Sequence, residues 1–404
     1  MRVLLINKFL YPKGGDAIST INTGNLLLSK GHKVAFWGMD HPSNPDYPYK
    51  KYFVSYIDYN KPIGLRQKMK SVADILYSFE ARNKVEKIVR DFRPDIVHLN
   101  NFAHQISPSV LDVFKKYKIP AVFTMHDYKM VCACYTMLVR GKICERCRGG
   151  RYYHCFLNRC TKNSLAKSFV NTIEMYLHHN ILRIYDNISV YISPSKFLRD
   201  KVLEMGLKGR VEFLFNFVDI TKFQPHFDAD ENSIVYVGRL SYEKGIETLI
   251  NAVRKKDVIL KIIGDGPIRE ELHRKVEHEG ISNVKFLGYK KGEELYGEIK
   301  SSMFLVIPSE WYENNPRTVI EAFALGKPVV GARIGGIPEL VKDNERGLCF
   351  EPGNVDDLSQ KIERMISYHS NRVEIGHNAR KFVEEELNSD KHYNQLIKIY
   401  NSCM

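Results

Sequence analysis

Two glutamates, Glu313 and Glu321, lie eight positions apart in the stretch WYENNPRTVIEAFALGKPVV, residues 311–330. Asn315 precedes a proline and therefore avoids the helical region, so we expect a helix to begin here, with Asn315 as its N-cap and Pro316 at its first position. Eight residues of helix span about 12 Å, whereas paired carboxylates that cleave one glycosidic bond lie about 5 to 9.5 Å apart. The spacing favours contacts to two parts of one extended ligand over a hydrolytic pair.

The predicted helix start and two nearby cations favour a phosphate ligand. A helix N-terminus presents free N–H groups and the positive end of the helix dipole. In VGRLSYEKG, Arg239 ends a predicted strand and Lys244 follows five residues later. Alone, each cation would be an ordinary surface charge. Together with the helix start and the pair Gly14-Gly15, they could neutralise a diphosphate.

Apolar runs alternate with amphipathic stretches along the chain, which is the pattern of parallel sheets covered by helices on both faces. It predicts an α/β fold with two doubly wound, Rossmann-like domains. We expect a first domain at 1–215 and a second at 216–389, and a last helix at 390–404 could pack back on the first. Polar loops at strand ends in both halves predict a ligand in the cleft between them.

Composition narrows the range of partners. The 404 residues carry a net charge of +13, which favours phosphates, nucleic acid or an anionic membrane. No apolar run approaches the roughly 18 residues needed to span a bilayer, and the N-terminus reads as a buried strand, so we expect a cytoplasmic protein. The basic amphipathic stretch 64–79 could dock on the inner face of the cell membrane or be a core helix, whereas 164–185 is predicted to be an ordinary packed helix.

The motifs GRLSYEKG, IIGDGP and PSEWYENNPRTVIEAFALGKPVVGARIGGIPELV resemble those of the retaining GT-B glycosyltransferases of family four. The resemblance covers nearly the whole chain and is strongest over 233–351. It implies a GT-B fold, with the first domain on the acceptor side. It also implies transfer of a sugar, with retention, from a nucleotide diphosphate donor such as a UDP-sugar or GDP-sugar.

The resemblance also assigns roles to residues. Arg239 and Lys244 would hold the donor diphosphate, Glu321 would bind the ribose, and Glu313 would contact the transferred sugar. His126 would line the catalytic cleft against that sugar. The remaining donor-binding positions implied are Gly14, Gly15, Asn314, Asn315, Pro316 and Arg317. The single Asp-x-Asp sequence, Asp228-Ala229-Asp230, lies in the predicted connection between the domains and not in a strand-end loop, and we expect no requirement for a catalytic metal.

Six of the eight cysteines lie within residues 132–160. The spacing of Cys144, Cys147, Cys155 and Cys160 predicts a structural zinc held by four thiolates, with Cys132 and Cys134 as spare candidates. An iron–sulfur cluster and ordinary reduced cysteines are the alternatives. Similar cysteine-rich inserts occur in glycosyltransferases of bacterial surface polysaccharide assembly, which implies a glycan or polyprenyl-diphosphate-linked acceptor.

Two other functions fit parts of the sequence. A nucleotide-sugar epimerase would share the fold and the diphosphate site, but would need no acceptor. A zinc-knuckle nucleic-acid-binding protein would suit the charge and CERCRGG, but would leave both α/β halves unexplained, and no block of five like charges provides a nucleic-acid arm.

Overall fold

The computed structural model describes residues 1–58 and 64–404 and contains two six-stranded parallel sheets. In the first half the elements are β1 (Arg2–Ile6), α1 (Gly15–Ser29), β2 (Lys33–Trp37), α2 (Leu65–Leu76), α3 (Phe79–Phe92), β3 (Ile96–Leu99), α4 (Val110–Lys116), β4 (Ala121–Thr124), β5 (Leu138–Val139), β6 (Lys142–Ile143), α5 (Tyr153–Leu157), α6 (Leu165–Tyr176), β7 (Val190–Ser193), α7 (Lys196–Glu204) and β8 (Val211–Phe213). The strand order is β2-β1-β3-β4-β7-β8.

The second half forms its own sheet, in the order β11-β10-β9-β12-β13-β14. Its elements are β9 (Ser233–Val237), α8 (Ile246–Val253), β10 (Ile259–Ile263), α9 (Arg269–His278), β11 (Val284–Gly288), α10 (Gly292–Ser301), β12 (Leu305–Ile307), α11 (Arg317–Ala324), β13 (Val329–Ala332), α12 (Ile337–Val341), β14 (Gly347–Phe350), α13 (Val355–Ser367), α14 (His369–Glu386) and α15 (Ser389–Asn401). The predicted α/β architecture with two Rossmann-like sheets is confirmed.

Each sheet has its own hydrophobic core, as expected when strands rich in Val, Ile and Leu are covered on both faces. The second core ends at Leu387, and the chain then returns to the first domain through α15. Leu396 and Tyr400 of α15 are fully buried in the first core. The Tyr400 hydroxyl lies 2.6 Å from Nδ1 of His98 on β3.

The connection between β4 and β7 carries the cysteine-rich segment. It contains the short antiparallel hairpin β5–β6, then α5 and α6, and a π-helical turn at Leu177–Ile181. The stretch predicted as an ordinary packed helix, 164–185, packs on one side only. Glu174 and Met175 of α6 are fully buried, whereas Leu165, Phe169 and Ile173 are 47, 50 and 39% exposed. Among the described residues, no helix combines the length and apolar character that crossing a bilayer requires.

Candidate active site

The helix that follows the Asn-Asn-Pro sequence begins one residue later than predicted. α11 starts at Arg317, and Pro316 precedes it with extended backbone angles, φ −65° and ψ 116°. Asn315 is not the N-cap, because its side chain has another partner: its Oδ1 accepts a hydrogen bond of 3.2 Å from the backbone N–H of Asn216. No side chain caps the helix, so its first N–H groups stay available to an anion.

Glu313 lies in a buried polar cluster ahead of α11. Its Oε1 accepts hydrogen bonds from Nζ of Lys244 at 2.5 Å and from the hydroxyl of Ser309 at 2.7 Å. Burial by itself would raise the pKa of Glu313, but the charge of Lys244 and these hydrogen bonds outweigh it and hold the pKa below its ordinary value. Glu313 is therefore an ionised carboxylate, and the ammonium beside it can be shared with an arriving anion.

Glu321 lies one turn beyond the helix start and faces Arg317. Its Oε1 is 3.4 Å from Nη2 of Arg317, and both side chains are 14% exposed. Burial raises the pKa of Glu321, and Arg317 offsets this only in part. Glu321 is thus a recessed carboxylate with one distant cationic partner, which leaves it free to accept hydrogen bonds from hydroxyl groups of a ligand.

Residues of the first domain face this helix start across the cleft. The side chain of Asn314 donates a 2.8 Å hydrogen bond to the backbone carbonyl of His126. Gly15, the first residue of α1, lies so close to the opposite wall that a Cβ added there would be 3.7 Å from Cδ of Arg317. Gly14 precedes it in an extended conformation. The two loops predicted to face one ligand therefore do face each other.

His126 is held by its neighbours in the first domain. Its Nε2 lies 2.9 Å from Oδ1 of Asn100, the residue that follows β3. Burial lowers the pKa of His126, which keeps the imidazole neutral at physiological pH. Asp127 is half-buried, and loss of solvation raises its pKa, while the backbone N–H of Lys129 and the charge of Lys8 oppose this rise. The end of β4 thus presents an imidazole and a carboxyl group to the cleft.

A cavity of about 380 Å³ joins the two domains at this point, within the range that small-molecule sites usually occupy. The predicted residues that line it are Gly15, His126, Lys244, Glu313, Asn314, Asn315, Pro316 and Arg317. Gly14, Arg239 and Glu321 do not line it. Arg239 is exposed, and its backbone carbonyl accepts a 2.9 Å hydrogen bond from Tyr236.

Several lining residues were not identified from sequence. The polar and aromatic ones are Asp16, Asn101, Asp127, Asn216, Tyr236, Ser309, Trp311 and Thr318. Asp127 and Asn101 each follow a predicted strand, so strand ends were a usable signal for them. Asn216 had no such signal, because it lies in the connection between the domains, where its side chain lies within 3.3 Å of the Ser19 hydroxyl.

The cysteine-rich segment brings five thiols together. Sγ of Cys132 is 3.5 Å from Sγ of Cys134. The thiol of Cys147 also lies near that of Cys132, and the thiol of Cys160 lies near those of both Cys134 and Cys155. Of the predicted zinc ligands, Cys144 takes no part in these thiol contacts. Across residues 1–58 and 64–404, no group of three or more His, Cys, Asp or Glu side chains has an arrangement that could hold a metal ion.

Comparison with known families agrees with the geometry of the cleft. The profile described as "Glycosyl transferases group 1" matches residues 217–382, and the profile described as "Glycosyltransferase Family 4" matches residues 13–222. The chain belongs to glycosyltransferase family 4. This glycosyltransferase therefore carries one family profile on each wall of its cleft, and the predicted family is confirmed.

Relatives of this glycosyltransferase include proteins of surface polysaccharide regions. An uncharacterized 42.6 kDa protein in the cps region of Klebsiella pneumoniae is 27% identical over 90% of this chain and 96% of its own length. The capsular polysaccharide biosynthesis glycosyltransferase CapM of Staphylococcus aureus is 25% identical over 66% of this chain and 70% of its own. An uncharacterized glycosyltransferase of Methanocaldococcus jannaschii is 32% identical over 49% of this chain, and the match spans only 56% of its own length.

Solved structures share the fold along the whole chain. Sucrose-phosphate synthase from Thermosynechococcus elongatus superimposes with a TM-score of 0.73 at 19% identity, covering 99% of this chain and 98% of the other. The Anabaena protein HepE, solved in complex with UDP-glucose, gives a TM-score of 0.66 at 18% identity with full coverage of both chains. These likenesses establish the GT-B fold.

Proposed function

We propose that this glycosyltransferase moves a hexose, with retention of configuration, from a UDP-sugar or GDP-sugar to a glycan or a polyprenyl-diphosphate-linked acceptor. One observation carries the proposal: the uncapped start of α11 opens into the cavity between the domains. Lys244 and Arg317 lie on that wall, and Gly15 and His126 lie opposite. An anion at the helix start would accept hydrogen bonds from backbone N–H groups, lie beside the cations Lys244 and Arg317, and contact the backbone of Gly15.

The contact between Lys244 and Glu313 suggests how donor binding would proceed. With the ammonium 2.5 Å from the carboxylate, a diphosphate at the helix start would compete with Glu313 for Lys244. Glu313 would then be free to accept a hydrogen bond from a hydroxyl of the sugar. Glu321, four residues along α11 from Arg317, would accept hydrogen bonds from the ribose. The donor would thus lie along the wall, with its sugar towards His126.

Transfer in this arrangement depends on positioning and charge. The bond from the anomeric carbon to the diphosphate breaks as an acceptor hydroxyl attacks the same face of the sugar, and the proton of that hydroxyl passes to an oxygen of the departing diphosphate. The departing phosphate gains negative charge, which Lys244 and the α11 dipole would stabilise from the cavity wall. Arg239, which does not line the cavity, would have to turn its exposed side chain towards it to add to this charge. We propose that this positive charge removes the need for a catalytic metal, so activity should persist in the presence of a chelator.

The biological setting we propose is bacterial surface polysaccharide assembly, such as capsule, exopolysaccharide or O-antigen, at the cytoplasmic face of the cell membrane. The relative in the cps region of Klebsiella pneumoniae, which matches almost end to end, supports a capsule-type setting. CapM supports it through its name, which refers to capsular polysaccharide biosynthesis. The identity of the base and the sugar would come from a screen of nucleotide sugars for hydrolysis and thermal stabilisation.

The decisive test compares Lys244→Ala and Glu313→Gln with a matched control, Lys255→Ala, an exposed lysine on the same domain. We expect each cleft variant to lower kcat by about a hundredfold or more, because each removes a preorganised group at the charge that develops. Lys255→Ala should retain wild-type turnover. Near-normal turnover in either cleft variant would refute the assignment.

Two product measurements distinguish the remaining alternatives. The anomeric configuration of the transferred sugar, measured by NMR, should equal that of the donor if configuration is retained. An epimerase would instead convert the nucleotide sugar without any acceptor, so a new nucleotide sugar in an acceptor-free reaction would favour that function.

We also propose a structural zinc in the cysteine-rich segment, held by four thiolates of the five that lie together. Since the thiols are not arranged as a metal site, binding would require their side chains to rotate. The measurement is the zinc and iron content of purified protein, with the double variant Cys155→Ser and Cys160→Ser compared with Cys144→Ser. We expect about one equivalent of zinc in wild type, loss in the double variant, which keeps only three of the five thiols, and retention in Cys144→Ser. Less than half an equivalent of metal in wild type would contradict the proposal.

A further inference from the structure

An exposed apolar surface covers the outer side of the first domain. It consists of six side chains that are 39 to 72% exposed, and we call it the α6 face: Leu157, Leu165, Phe169, Ile173, Ile181 and Leu182. Leu165, Phe169 and Ile173 are spaced four residues apart, which places them along one side of α6. Soluble proteins rarely expose contiguous apolar patches of this kind without a partner.

The α6 face is continuous with neighbouring elements. The ring of Phe169 packs against that of Phe156 on α5, with centroids 5.6 Å apart, so Leu157 on α5 adjoins the stripe. α2 packs beside α6, and Nε2 of His178, just after α6, lies 2.7 Å from the carbonyl of Leu76 at the end of α2. Met69 of α2 is 67% exposed. The apolar side chains therefore belong to one surface built by three helices.

Positive charge surrounds this surface. Residues 140–183 carry nine Lys and Arg but only two acidic residues, both glutamates. Two of the nine, Arg148 and Arg183, pair with Glu204 and Asp186 outside this range, which leaves seven. α2 adds Arg66, Lys68 and Lys70, all exposed, against one acidic residue, Asp74. Neither glutamate offsets this charge at the surface. Glu174 is fully buried, and Glu145 is bound by Lys201 at 2.8 Å and by the hydroxyl of Tyr312 at 2.8 Å.

We propose that the α6 face docks on an anionic lipid bilayer. Apolar side chains that enter the headgroup region, ringed by Lys and Arg, are what binds a protein to the surface of such a membrane. The charge argues against a second copy of this chain as the occupant, because two α6 faces would bring like charges together. An RNA or DNA partner would match the charge but would leave the apolar side chains uncovered.

The position of the α6 face relates it to the cleft. Glu174 of α6 binds Nζ of Lys129 at 2.7 Å, and Lys129 lies three residues after His126. A bilayer on the α6 face would therefore lie on the acceptor side of the site. We expect a lipid-linked acceptor to reach the cleft from this membrane, and this expectation rests on the proposed function. Docking of the α6 face on the bilayer does not depend on the proposed function.

The experiment is vesicle flotation of the full chain, with phosphatidylcholine vesicles that either contain or lack phosphatidylglycerol. Wild type should float with the anionic vesicles only. Phe169→Ser combined with Ile181→Ser should weaken the partition coefficient at least tenfold, because two large apolar side chains no longer enter the bilayer. Arg159→Gln combined with Lys167→Gln should weaken it about 25-fold, at roughly fivefold for each charge removed.

Matched controls lie on the second domain. Tyr289→Ser combined with Tyr368→Ser replaces two side chains that are 70 and 61% exposed, and should leave flotation unchanged. Each variant should keep wild-type nucleotide-sugar hydrolysis in solution, which shows that the fold and the donor site are intact. That assay also separates failure of docking from failure of the proposed function.

Three outcomes would overturn docking. Wild type could fail to float, or could float equally with neutral vesicles. Alternatively, light scattering could show a dimer that the Phe169→Ser and Ile181→Ser variant abolishes, which would assign the α6 face to a second copy of the chain.

Discussion

The buried ion pair between Lys129 and Glu174 gives a quantitative test of how the His126 loop is held. The two side chains are 5 and 0% exposed, and the ammonium is 2.7 Å from the carboxylate. The other contact of Lys129 Nζ is the Ala133 carbonyl, at 3.4 Å. Glu174→Gln would therefore leave a buried ammonium with two neutral partners. Breaking a buried pair from one side costs about 3 to 5 kcal/mol, and we expect a loss of unfolding free energy in this range.

Lys129→Met, which removes the other partner of the pair, should lower the unfolding free energy by less, because Glu174 has other partners. Nε2 of His104 is 3.1 Å from the carboxylate, and Nδ1 of His178 is 3.9 Å away. Lys129→Met should therefore destabilise the protein less than Glu174→Gln. Because both partners are removed together, Lys129→Met combined with Glu174→Leu should cost less than the sum of the two single substitutions.

The assay is denaturant unfolding, compared with an exposed ion pair in the same protein. Lys30 and Asp390 are 2.6 Å apart, but their side chains are 37 and 76% exposed, so Asp390→Asn should cost less than about 1 kcal/mol. If Glu174→Gln proved no more destabilising than Asp390→Asn, the buried pair would not be what holds this loop. If Glu174→Gln lowers kcat by a larger factor than it changes KM, loss of the ion pair disturbs the position of His126.

Two further predictions concern pH. Burial lowers the pKa of His98 from 6.5 to about 3. The neutral imidazole therefore contributes its full stabilisation of the folded state above pH 6.5, the pKa of the unfolded chain, and this stabilisation is lost as the pH falls below that value. At pH 5 the loss in unfolding free energy from this one residue is about 2 kcal/mol. Thermal unfolding of wild type and His98→Gln between pH 7 and 5 measures this loss, and an equal dependence of stability on pH in the two proteins would contradict it. Burial raises the pKa of Glu321, so UDP or GDP affinity should fall on acidification in wild type more than in Glu321→Gln, as calorimetry can measure. Parallel pH profiles for the two proteins would show that Glu321 does not bind the nucleotide.

Much of the architecture could be predicted because it depends on local patterns. Strands buried on both faces read as continuous apolar runs, and β1, β9 and β10 lie within the apolar runs RVLLIN (2–7), SIVYVGR (233–239) and VILKIIGDG (258–266). The helix start after Asn315 was likewise visible, since proline restricts the residue before it. The one-residue error there arose from a long-range contact: Asn216, 99 residues away, takes the side chain that would otherwise cap the helix.

Other features could not be read from local patterns. Periodicity identified an amphipathic helix at 164–185, but nothing in it indicated that Glu174 would face inward and Phe169 outward. The sequence shows six cysteines close together in the chain, but the thiol contacts involve Cys132 and Cys134 and not Cys144, because the fold of the segment decides which thiols meet.

The return of α15 has a consequence for synthesis of the chain. Because Leu396 and Tyr400 fill the first core, that core stays incomplete while the ribosome makes the whole second domain. His98 on β3 would wait for its tyrosine partner until 302 further residues had been added. The first domain is therefore the first to emerge and the last to be finished, and a nascent chain stalled after Leu387 would carry a complete second core beside an open first one.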